Sequence, residues 1–141
     1  MYRKLFISSI FISILLISFS CKSKKEKAEK MIVESLIKTD NTNFEGAIKD
    51  LDEAITLDSL NAKAWFLRAN LKMSLKRFNE AVLDFDMSIK LNDKNMEAFY
   101  NRGYAYFLLG NQDKACENFF IAYKMGKPNI EDKIKNCKEI Q

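Results

Sequence analysis

The chain has 141 residues, 48% of them apolar, with one Pro, four Gly, three Cys and no His. So little turn punctuation excludes a small all-β fold, whose strands need Gly and Pro between them, and the lack of His removes the commonest general base and metal ligand. The net charge of +4 is not carried by the body of the chain. It collects at Arg3, Lys4 and five lysines within residues 22–30, leaving 16 cations against 17 anions over residues 31–141. A nucleic-acid binder concentrates basic charge on its folded domain, so nucleic acid is not an expected partner.

In chain order, residues 1–20 read as an address. Met1-Tyr2-Arg3-Lys4 is a basic start, and Leu5 to Phe19 follows as 15 uncharged residues rich in Ile, Leu and Phe. That is short for a membrane span of about 20 residues and suits the apolar region of a secretory signal. Taken as residues alone, the segment also fits an uncleaved N-terminal anchor. The junction Ile17-Ser18-Phe19-Ser20-Cys21 resembles a bacterial lipoprotein signal, with small Ser20 before the cysteine and Ser18 departing from the usual aliphatic residue. The resemblance implies export, cleavage before Cys21, and acylation of Cys21 as the membrane anchor; more than one acyl chain makes such anchoring stable. The lysine-rich residues 21–30 are expected to form a solvated tether. The resemblance further implies, because this run is basic where surface-directed lipoproteins carry an acidic one, a place on the periplasmic side, at the outer membrane.

Beyond the tether the sequence repeats every 34 residues. Trp65 aligns with Phe99; Ala47, Ala81 and Ala115 form one column; Leu51, Phe85 and Phe119 another; Ala54, Ser88 and Ala122 a third; Ile55, Ile89 and Tyr123 a fourth. Within a copy, Ala81, Phe85, Ser88 and Ile89 stand at i, i+4, i+7 and i+8, one face of a helix. Asn41-Thr42-Asn43, Asn92-Asp93 and Gly110-Asn111 lie between the periodic runs and supply capping and turn residues. Gly126 and Pro128 end the last run.

These residues resemble tetratricopeptide repeats. Residues 62–95 present Trp65, Ala69, Ala81, Phe85 and Ser88; residues 96–129 present Phe99, Gly103, Tyr106, Gly110, Ala115, Phe119 and Ala122. Residues 28–61 match in their second half, while Met31 and Ser35 fill the slots of the first. The expected fold is all-α, an α-solenoid of antiparallel helix pairs with about two and a half to three repeats, occupying residues 31–141. Each pair leaves an apolar face that its neighbour covers. Ile130, Ile134 and Cys137, at i, i+4 and i+7, point to a final capping helix over residues 130–141.

No catalytic constellation, cofactor motif or metal-ligand spacing is present, so no enzyme activity is expected. Asp50, Asp52, Glu53, Asp84 and Asp86 are expected on the solvent side of the second helix of each pair. The resemblance implies a groove lined by the first helices. It would hold Phe66, Asn70 and Met73 of one repeat and Tyr100, Asn101, Tyr104 and Phe107 of the next, with Tyr100 and Tyr104 as the strongest contacts. Asn70 and Asn101 occupy two slots of the clamp by which some members hold acidic tails, but Phe66 stands at a lysine slot, so that clamp is incomplete. Cys116 falls where it faces the capping helix and Cys137. The pair would form a disulfide in an oxidising compartment or two buried thiols. The expected function is that of a lipid-anchored adaptor in the cell envelope, binding an unidentified protein or peptide. A self-associating module, as a homodimer, and an accessory subunit of an envelope complex are the alternatives.

Overall fold

A computed structural model describes residues 22–137, and within them every regular element is a helix. Residues 22–40 form α1, followed by α2 (Phe44–Leu57), α3 (Ala62–Ser74), α4 (Phe78–Leu91), α5 (Met96–Leu108), α6 (Gln112–Lys124) and α7 (Glu131–Cys137). The signal segment 1–20, Cys21 and residues 138–141 of the expected cap lie outside the described residues.

Local chemistry sets the helix boundaries and repeats with the same period. Asn43, Asn61, Asn95 and Asn111 each accept, through the side chain, a backbone N–H of the first turn of α2, α3, α5 and α6. Among α2–α6, α4 alone starts without such a cap, at Arg77, in the column of Asn43 and Asn111. The turns between the helices of each pair also correspond. Arg77 N–H donates to the Lys72 carbonyl at 2.8 Å and Asn111 N–H to that of Tyr106 at 2.9 Å, closing α3 and α5. This closure needs a left-handed residue just past the helix. Thr42, Lys76 and Gly110 fill that column with φ of 60°, 59° and 76°.

The helices stack as pairs α1/α2, α3/α4 and α5/α6, with α7 against α6. Their core is divided along the stack rather than pooled. Ala28, Ile32, Leu51 and Ile55 meet Ala64 and Leu71 at the first boundary. Phe85 sits among Ala69, Ala81 and Ala98 in the middle. Phe99, Ala115 and Phe119 meet Ile130, Ile134 and Cys137 at the end. The alanines at the crossings are fully buried, and they let the helices approach closely while the aromatic rings fill the seams. Gly103 is the tightest crossing: a Cβ there would stand 3.0 Å from the Phe119 ring. Ser88, in a column otherwise of alanine, is buried and donates to the Ala62 carbonyl at 3.0 Å, so its hydroxyl is satisfied.

Two expectations change. Residues 22–30 are not a loose tether but the first turns of α1, with Ala28 fully buried and Lys27 bridging Glu53 at 2.8 Å. Lys, Glu and Ala are good helix formers, and Glu26/Lys30 has the favourable i, i+4 order. The acidic residues of the second helices are also not all solvated. Asp84 is only 3% exposed, and Asp50 is half-buried against Lys38 at 2.7 Å. The reason for Asp84 is a cation from the neighbouring helix, described below.

Candidate binding groove

The first helices of the second and third repeats, α3 and α5, line the concave side. There Asn70, Met73, Ser74, Lys76, Phe78, Asn101, Tyr104 and Leu108 enclose an open pocket of about 560 Å³. Helical geometry explains the set: Asn70, Met73 and Ser74 fall within two turns of one face, as do Asn101, Tyr104 and Leu108. Asn101 Nδ2 donates to Asn70 Oδ1 at 2.8 Å, joining the two helices across the floor. That bond leaves one amide group of Asn70 free to donate and the carbonyl of Asn101 free to accept.

The seven residues anticipated for the groove divide by role. Tyr104 and Phe107 are 38% and 44% exposed, with rings stacked at 6.2 Å. Lys133 of α7 lies over both, 5.6 and 5.3 Å from the ring centroids. Asn70, Asn101 and Met73 are partly exposed on the pocket wall. Phe66 instead leans on Phe85 at 6.1 Å, and Tyr100 on Phe119 at 5.6 Å beneath Lys127. These two rings support the wall more than they present a surface. Ser74, Lys76, Phe78 and Leu108 also belong to the pocket and lie outside the expected slots. Phe78 opens a second helix, while the slot pattern considers first helices only. Leu108 lies one residue past the last slot.

A polar device repeats behind the groove. Arg68 on α3 makes a two-bond pair with Asp84 of α4, at 2.8 and 2.7 Å, and reaches back to Asp52 of α2 at 2.6 Å. Lys72 adds a second cation on Asp84 at 2.8 Å. Burial works against the Arg68 charge, but the hydrogen bonds and charges of Asp84 and Asp52 outweigh it and raise its pKa above the ordinary arginine value. One repeat later Arg102 donates to Asn118 of α6 at 2.8 Å and to Asp86 of α4 at 2.5 Å. Each arginine therefore ties its own pair to the preceding one. Each also lies over an aromatic ring, Arg68 over Trp65 at 4.8 Å and Arg102 over Phe99 at 5.5 Å. The signal was in the sequence: Arg68/Arg102, Asp84/Asn118 and Asp52/Asp86 are all 34-residue columns.

Cys116 and Cys137 are joined in a disulfide, with Cα atoms 5.4 Å apart, and fasten α7 to α6. Both are buried. Among the described residues no group of three or more His, Cys, Asp or Glu side chains is arranged to hold a metal ion, and no helix is long and apolar enough to cross a membrane.

Residues 62–95 and residues 85–117 each match a family model described as tetratricopeptide repeat. No curated relative matches the chain in sequence. Among solved structures, the fold is similar to the first TPR domain of Spaghetti (RPAP3) bound to the HSP90 peptide SRMEEVD. The identity is 19% and the TM-score 0.77, covering 82% of this chain and 94% of that one. The TPR domain of Arabidopsis OM64 is similar at 23% identity and a TM-score of 0.77, over 84% and 99% of the two chains. The Yersinia enterocolitica type III secretion chaperone SycD, solved with a peptide of the translocator YopD, is similar at 12% identity and a TM-score of 0.74, over 79% and 92%. The described helices of this chain form an all-α solenoid with the tetratricopeptide-repeat fold, within which residues 62–117 match the repeat models.

Proposed function

We propose that the chain captures an extended segment of a partner protein along the groove between α3 and α5. The observation that carries this reading is the pairing of exposed apolar surface with unspent amide groups in one concavity. Tyr104, Leu108, Met73 and Phe78 offer a place for an apolar side chain, and the Asn70–Asn101 pair retains a donor and an acceptor for main-chain groups. Lys76 and Lys133 stand beside that surface, so a carboxylate next to the apolar side chain would be favoured. The peptides bound by the RPAP3 domain and by SycD support this use of the fold. Rigid aromatic surface is an efficient source of binding energy.

The full chain, solubilised from native membranes, is the bait that tests this. A Tyr104→Ala/Phe107→Ala variant is expected to lose the captured partner by about tenfold or more while its helical circular dichroism stays unchanged. Undiminished capture by that variant sinks the groove. The same preparation bears on the anchor. We infer acylation of Cys21 and a periplasmic position at the outer membrane, from the sequence pattern at residues 1–21. A Cys21→Ser variant should then leave the membrane fraction, and its retention there would count against the lipid.

A further inference from the structure

We propose that the outer face of α1 is a self-association surface, on which a second copy of this chain packs its own α1 antiparallel to form a two-fold dimer. Val33, Leu36 and Ile37 lie together on α1 and are 54%, 40% and 56% exposed. Their columns show what kind of face this is. Ile37 corresponds to Leu71 and Ala105, both buried, and Val33 to Leu67, which packs into the first core cluster. In α3 this side of the helix is covered by the preceding repeat. In α1, nothing among the described residues covers it.

Three observations select the occupant. First, Lys30 stands in the column of Ala64 and Ala98, which are fully buried at their boundaries. A lysine there excludes the close approach that another ordinary repeat would need. Second, the opposite end of the stack is closed by α7 and the Cys116–Cys137 bond, so copies cannot add head to tail and the contact must pair like with like. Third, the charges are arranged for antiparallel pairing. Glu26, Lys30, Val33, Ile37 and Asp40 follow one another at alternating steps of four and three, a straight seam along the helix. Val33 set opposite the second copy's Ile37 brings Lys30 opposite its Asp40. Lys30 is 72% exposed, bridged only within its helix to Glu34 at 3.7 Å, and Asp40 is exposed. Parallel pairing would instead set Lys30 against Lys30. In the antiparallel register the contact is one helix wide and spans residues 30–40 of each copy, ~16 Å. That is below the size of standard specific interfaces, so binding should be weak, with a dissociation constant on the order of tens to hundreds of micromolar. The concave groove stays open in such a dimer.

Sedimentation equilibrium of the full chain in non-ionic detergent, over a concentration series, reads the association directly. A reversible monomer–dimer equilibrium is expected. Val33→Ser/Ile37→Ser should weaken it by about tenfold without changing the helical signal or the melting temperature. Lys30→Glu should weaken it as well, and Lys30→Glu/Asp40→Lys should restore it, because both copies then carry the reversed pair. A chain that stays monomeric at every concentration overturns the proposal, as does a dimer indifferent to these substitutions. So does a monomer whose melting temperature falls with Val33→Ser/Ile37→Ser, since the face would then be covered from within the same chain.

Discussion

At the C-terminal end of the stack, Ile130, Ile134 and Cys137 lie over Ala115 and Phe119 and a covalent bond locks them there, whereas at the N-terminal end Val33 and Ile37 remain about half exposed on α1. The polar contacts are distributed the other way. Around the first boundary, Lys27–Glu53, Lys38–Asp50, Arg68–Asp52, Arg68–Asp84, Lys72–Asp84 and Arg77–Glu45 form a run of ion pairs. Toward the other end, among the described residues, Arg102–Asp86 and Lys127–Glu97 continue it between helices, beside Lys135–Asp132 within α7. A solenoid is stabilised by nearest-neighbour contacts, so its ends are its weak points. Here one end is stapled and the other is held from within by charge. The stapled end also carries Lys133 over the groove aromatics, so stapling α7 fixes one wall of the binding site as well.

The largest test of this contrast is removal of the staple. The bond closes a loop of sequence separation 21, and constraining such a loop in the unfolded chain is worth about 3 kcal/mol. Cys116→Ala/Cys137→Ala should lower the urea-denaturation free energy by that amount, with early amide exchange in α7. At the open end, Val33→Ser/Ile37→Ser should shift the monomer by less than about 0.5 kcal/mol, as exposed substitutions do. Equal costs at the two ends would erase the distinction. The bond itself is checked beforehand: Cys116 and Cys137 should stay unreactive to a thiol reagent in the unfolded chain until a reductant is added.

The next test compares the two arginines. Arg68→Ala leaves the buried Asp84 carboxylate with Lys72 as its remaining cation. Breaking a buried ion pair from one side costs 3–5 kcal/mol when no partner remains, so about 2 kcal/mol is expected here. Arg102→Ala removes a partner from Asn118, which is neutral and still donates to the Lys114 carbonyl at 2.8 Å. It also removes one from Asp86, whose side chain is 45% exposed and stays solvated, so that lost pair adds little. The loss there should be about 1 kcal/mol, that of an ordinary hydrogen bond. Thermal melts of the two single variants decide it, and a larger loss for Arg102→Ala would show that the charge on Asp84 does not set the difference.

The arginines also mark where the sequence was and was not legible. The 34-residue columns of Ala, Phe and Trp were enough to lay out the repeats, because core packing demands the same volumes at the same places in each copy. The cap and the facing positions of Cys116 and Cys137 followed from the helical spacing, since Cys116 falls on the side of α6 that the next helix must cover. Spacing left open whether the two are bonded or buried as free thiols, and the structure joins them. Acidic residues on the second helices looked like a solvated face because charge is cheapest in water. Asp84 is buried only because Arg68 and Lys72 arrive from α3, and that is a relation between two columns rather than a property of either. Residues 22–30 were misjudged for a related reason: their composition reads as solvated, yet helix propensity and the contacts of Ala28 extend α1 through them. In the groove, Phe78 and Leu108 escaped notice because a pocket spans helices, whereas periodicity describes them one at a time.

The smallest effect lies at the turn within the first pair. Thr42, Lys76 and Gly110 occupy equivalent positions with similar positive φ, yet only Gly110 is free of a Cβ that disfavours this conformation. An L-residue pays roughly 1–2 kcal/mol there, and a β-branched side chain fits it worst. Glycine gives back about 0.5–1 kcal/mol through its greater freedom in the unfolded chain. Thr42 is exposed and its side chain makes no hydrogen bond, so the backbone term should decide the sign. Thr42→Gly is expected to stabilise the chain by about 0.5–1 kcal/mol, and Gly110→Ala to destabilise it by a similar amount. Both are read as shifts of the urea midpoint at unchanged slope. If Thr42→Gly leaves the midpoint where it was or lowers it, strain at this turn is not what weakens the N-terminal end, and the exposed face of α1 is left as the reason.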